Sequence, residues 1–211
     1  NESLEPGAVG IPDNVIAIAG PRNNRLFILT TEGWMFPTLQ TSPSNCSVYH
    51  TVDLRRYGTP YWAVESGGDI LCGFSKDIVR VAGTGDESVD KANADLYGEP
   101  LNVGNPPVDS SVFVDGNTVI YRSADGLMSL IGIQQVSVSQ GLTSLLWRGV
   151  ARYGVQALNT ITGRFRMSVD NHILYMLAPE GTEGNGLTEG SSSSIWRYNL
   201  IKKTWHRTTY P

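Results

Sequence analysis

One pattern recurs along this chain and restricts its fold more than any other feature: strand, tight turn, strand, short polar break, strand. In its first occurrence, Val15 to Ala19 and Arg25 to Leu29 flank the turn Gly20-Pro21-Arg22-Asn23-Asn24, and Trp34-Met35-Phe36 follows the break Thr31-Glu32-Gly33. The second runs Tyr61 to Val64, Gly67-Gly68, Asp69 to Gly73, the break Ser75-Lys76-Asp77, then Ile78 to Val81. The third runs Ser111 to Val114, Asp115-Gly116-Asn117, Thr118 to Tyr121, the break Ser123-Ala124-Asp125-Gly126, then Leu127 to Ile131. Asp-Gly suits a hairpin turn because such turns need positive φ, which glycine adopts without steric penalty. The fourth comprises Phe165 to Val169, the turn Asp170-Asn171, His172 to Leu177, a long polar loop, Ile195 to Tyr198 and Thr204 to Arg207.

The central strands return about every 45 to 55 residues, the period of four-stranded blades rather than of helical solenoids. The expected fold is therefore all-β: a β-propeller or partial propeller of about four antiparallel blades. A β-sandwich is the alternative, since evenly spaced hairpins also describe that architecture. A Greek key would mix short and long connections, whereas here one order repeats. With 23 glycines and 11 prolines in 211 residues and only 17% charged residues, the composition favours short strands and turns. Residues 1–211 read as a single propeller-like domain. The chain opens on Asn1 and reads as a piece of a longer protein, with any further blades upstream. Glu180 to Ser194, rich in glycine and serine, is expected to be a flexible surface loop, because it has little apolar surface to offset the entropy of ordering. Ser88 to Ala94 has few strand formers, and Leu142 to Tyr153 reads as a short helix or an irregular connection.

A net charge of −4 and a pI near 5.3 leave no global basic footprint for clamping nucleic acid. The longest apolar run, near Ile173 to Ala178, is far short of the roughly 20 residues that cross a bilayer. Asn1 to Pro12 lacks a basic segment followed by an apolar one, so no secretory signal is read there.

The histidines are His50, His172 and His206, with no His-x-x-x-His or Cys-x-x-Cys spacing to suggest zinc. His172 and His206 read as strand residues on a sheet surface. Cys46 and Cys72 read as buried, reduced thiols. The acidic residues Asp86, Glu87, Asp90, Asp109, Asp115 and Asp125 sit at turns without the close, regular spacing of a calcium loop. Gly83-Thr84-Gly85 lacks the lysine and helix of a phosphate loop. The Gly-x-Ser-x-Gly elbow is absent. Asn45-Cys46-Ser47 matches a glycosylation sequon, read as coincidence without a secretory signal. No residue is therefore nominated as catalytic, cofactor-binding or metal-binding, and the chain is read as a non-enzyme without cofactor. Trp34, Trp62, Trp147, Trp196 and Trp205 fit packing between blades better than a sugar-stacking set. Trp147 is set apart by Arg148, Arg152 and Tyr153 beside it: arginine with aromatics is the composition of interface anchors, and these four are the candidate interface.

Two stretches carry a family resemblance. Asp13 to Phe36, within IPDNVIAIAGPRNNRLFILTTEGWMF, and Asn105 to Gly132, NPPVDSSVFVDGNTVIYRSADGLMSLIG, resemble the propeller of head-to-tail proteins of short-tailed bacteriophages, the packaged-DNA stabilisation or tail-nozzle family. Phe165 to Pro179 followed by SSSSIWRYNLIKKTWHRTT is similar in strand order. The resemblance covers most of the chain and rests on strands and turns. It implies a virion structural protein assembled in the host cytoplasm, with copies of itself in a ring beneath the portal and adaptor. Such a ring closes the DNA channel and passes DNA at ejection. Packaged DNA would be a passing neighbour without sequence-specific binding, and no membrane would be involved. The shorter length of this chain leaves further blades and any tip domain outside the comparison. The alternatives are a carbohydrate- or receptor-binding β module of a tail and, with less behind it, an enzyme whose residues come from distant blades.

Overall fold

The computed structural model describes residues 8–83, 95–138, 166–178 and 194–209, which fall into two compact units, Asn1–Val108 and Asp109–Pro211. The first unit carries β1 (Ala8–Gly10), β2 (Val15–Arg22), β3 (Arg25–Thr30), β4 (Trp34–Pro37), β5 (Asn45–Ser47), β6 (Val52–Asp53), a 3-10 turn at Arg55–Tyr57, β7 (Pro60–Ser66), β8 (Asp69–Phe74), β9 (Ile78–Ala82) and β10 (Tyr97–Pro100). β11 (Pro107–Asp115) leads into the second, with β12 (Thr118–Ser123), β13 (Gly126–Ile131), β14 (Gln134–Ser137), β15 (Arg166–Asp170), β16 (Ile173–Ala178), β17 (Ser194–Asn199) and β18 (Thr204–Thr209). Among the described residues these make four four-stranded antiparallel sheets in the orders β2-β3-β4-β6, β7-β8-β9-β10, β11-β12-β13-β14 and β15-β16-β17-β18, called blades 1 to 4 below. A small ribbon, β1-β5, accompanies blade 1.

The turns are where local chemistry acts. Asn23 and Asn24 take φ of 50° and 59°, the left-handed pair that matches the twist of adjoining strands. The five-residue turn expected at Gly20 to Asn24 is thus only two residues long. β2 continues through Gly20 and Pro21 with a register shift between Ala19 and Arg22, because a bulge absorbs the residues that break regular pairing. His172 is also corrected. It is a turn residue with φ 62°, paired with Asn171 at 45°, rather than part of a strand.

Each of the first three repeats carries a fourth strand that the sequence pattern does not announce. β6 has only two residues, β10 reads Tyr-Gly-Glu-Pro, and β14 reads Gln-Gln-Val-Ser. These are outer edge strands, whose partly solvated side chains leave no apolar alternation to read.

Alternation along the strands sets the cores. In the first unit Ala19, Phe27, Leu29 and Met35 of blade 1 join Ala63, Ile70, Cys72, Phe74, Val79 and Val81 of blade 2, with Leu54 and Tyr57 between. In the second, Ile120, Leu127 and Val138 join Leu174, Met176, Trp196 and Tyr198 of blade 4. Each fully buried Leu, Ile or Phe contributes about 1.5–3 kcal/mol of transfer free energy. Polar ties fix the blades further. Arg22 of β2 donates through both terminal nitrogens to the carbonyls of Val81 in β9 and Gly83 just past it. The buried Asp77 accepts from the backbone N–H of Ile78, Asn102 and Val103 at 2.8–3.1 Å, which pins the chain leaving β10. Both cysteines are free and buried, as expected from the sequence, and burial pushes both thiols up. Ser88 to Ala94, Leu142 to Tyr153 and residues 180–193 lie outside the described residues, while Ser194 opens β17.

Candidate functional site

The site begins at a glycine. Gly33 has φ 89° and ends the turn into β4, and a Cβ there would lie 3.3 Å from Cα of Arg55. That close approach, with the Leu54 N–H donating to the Gly33 carbonyl at 3.0 Å, seats the 3-10 turn Arg55–Tyr57 against Trp34. Leu54 and Tyr57 anchor the turn in the core, with the Tyr57 ring 6.0 Å from that of Phe74.

Two arginines are thereby held outward over aromatic rings. The Arg55 guanidinium lies 4.3 Å from the Trp34 ring centroid, and Arg56 lies 4.8 Å from that of Tyr57. Arg55 also forks onto Asp53, with Nε to Oδ1 at 2.9 Å and Nη2 to Oδ2 at 2.7 Å. The hydrogen bonds from Arg55 hold the Asp53 carboxyl down at about 2. Arg56 Nη2 donates to the Tyr57 hydroxyl at 2.6 Å, and that hydroxyl donates to the Gly98 carbonyl at 3.3 Å. Asp53, Arg55 and Arg56 line an open cavity of about 540 Å³.

Among the described residues that line the cavity, the one carboxylate, Asp53, is charge-paired with Arg55, and the other two are the stacked arginines. Stacked, hydrogen-bonded arginines lose little entropy on binding, and arginine beside aromatics is what anchors interfaces. The four residues nominated from sequence, Trp147, Arg148, Arg152 and Tyr153, lie outside the described residues. Sequence reading passed over Leu54-Arg55-Arg56-Tyr57-Gly58, although it has the same arginine-with-aromatic composition. What it lacked was Trp34, about twenty residues away and brought in only by pairing of β4 with β6.

Other nominated positions resolve into structure. Trp62 and Trp196 are 2% and 3% exposed, so neither can stack on a sugar. Trp205 packs against Tyr198 with centroids 4.8 Å apart. Asp109 accepts from the Ser111 N–H and pairs with Arg122 at 2.8 Å. His50 is buried with Nδ1 2.9 Å from the Ser47 hydroxyl. Among the described residues no three His, Cys, Asp or Glu side chains gather as a metal site, and no helix is long and apolar enough to cross a membrane.

No family model and no curated protein matches the sequence. Solved structures do. BamB from Moraxella catarrhalis superposes with a TM-score of 0.51 at 14% identity, over 90% of this chain and 51% of its own. The fold is a partial β-propeller. Four-stranded sheets in simple up-and-down order agree with that likeness, and the sandwich alternative falls away. Apo AztD from Citrobacter koseri has a TM-score of 0.46 at 13% identity, over 93% of this chain and 46% of its own. The WD40 domain of SCAP from fission yeast has 0.39 at 11%, over 96% and 51%. The chain spans about half the length of these proteins, and at such identities the likeness concerns the fold alone.

Proposed function

We propose that this partial propeller is a structural protein of a short-tailed phage virion, part of the head-to-tail connector or tail nozzle. In this role copies form a ring with portal, adaptor and other tail proteins, close the DNA channel and let DNA pass at ejection. The observation that carries the reading is the resemblance of Asp13 to Phe36 and Asn105 to Gly132 to that family. Both stretches are blade hairpins, β2-β3-β4 and β11-β12-β13. A preordered arginine-aromatic surface at Trp34, Arg55 and Arg56 supplies the kind of anchor that subunit contacts use. The acidic balance, net −4, suits a wall that DNA slides past without being held.

Mass photometry of the full-length protein, followed by cryo-microscopy of virions from the phage or prophage that encodes it, tests the proposal. Rings that join a portal-adaptor complex are expected. A strict monomer that never associates with virions would sink it. The receptor-binding alternative predicts glycan-array signals that quench tryptophan fluorescence, and the burial of Trp62 and Trp196 weighs against it.

A further inference from the structure

We draw no further inference here: the strongest candidate, the apolar face of blade 1 where Ile16 and Ile18 of β2 stand 38% and 55% exposed, carries none, because nothing in the structure shows what covers it.

Discussion

Blades 2 and 4 share strand order and antiparallel pairing, yet they use their faces differently. In blade 2 nearly every residue of β8 and most of β9 is buried. The Trp62 ring lies flat on its cross-strand partner Gly73, where an added Cβ would come within 2.1 Å of the ring. In blade 4 the strands alternate: Leu174, Met176, Trp196 and Tyr198 are buried, Arg197 and His206 are exposed, and Ile173 and Tyr175 are half-buried. Topology therefore does not decide what a blade is for. A sheet buried on both faces contributes packing, while one with a free face can carry chemistry.

The sharpest way to break this contrast is to truncate one aromatic from each. Trp62→Ala should cost about 3–5 kcal/mol, the range for emptying a buried aromatic site. Tyr175→Ala on the half-buried face should cost less, about 1–2 kcal/mol by area. Urea denaturation measures both, and equal losses would erase the distinction.

Charge gives the next comparison. Asp77→Ala removes the acceptor of three backbone N–H groups in blade 2 and its exit loop, and should cost about 2–3 kcal/mol. Arg197→Gln on blade 4 should stay within about 0.5 kcal/mol, as surface changes do. A loss above about 1 kcal/mol for Arg197→Gln would mean that its role is structural.

The remaining effect appears only in alkali. Burial raises the Cys72 thiol from 9.0 and the Tyr198 phenol from 10.0. For both, the folded state holds its proton while the unfolded chain releases it. Stability is therefore complete below the unfolded value and falls as pH rises past it. Cys72 should begin to cost stability near pH 9, by up to about 1.4 kcal/mol per pH unit. Cys46 contributes with the same sign. Tyr198 should begin a unit later. Denaturation midpoints across pH 8 to 11 for the parent and Cys72→Ala test this; an onset near pH 9 that survives unchanged in Cys72→Ala would assign the loss elsewhere.

Much of each blade was legible because hairpins are local. Gly67-Gly68 and Asp115-Gly116 mark their turns by chemistry within the turn itself, and φ of 62° and 85° at the first pair and 55° at Gly116 agree. The edge strands β6, β10 and β14 were not legible, because their pairing partner, not their own pattern, makes them strands. His172 was misplaced for a related reason. Its neighbours Ile173 and Tyr175 alternate like a strand, but the Asn171-His172 pair takes the left-handed conformation that closes the turn.

The candidate site divides in the same way. Arg55, Arg56 and Tyr57 are neighbours in sequence, but Trp34 reaches Arg55 only through the outer pairing of blade 1. The sequence by itself determined the repeat, the hairpins and the all-β class, while the sandwich stayed open, since turn conformation and alternation act over a few residues. Only the tertiary structure decided which faces are buried, where Arg22 and Asp77 spend their hydrogen bonds, and which ring lies under Arg55. Burial and grouping depend on what arrives from far along the chain, and no local pattern encodes that.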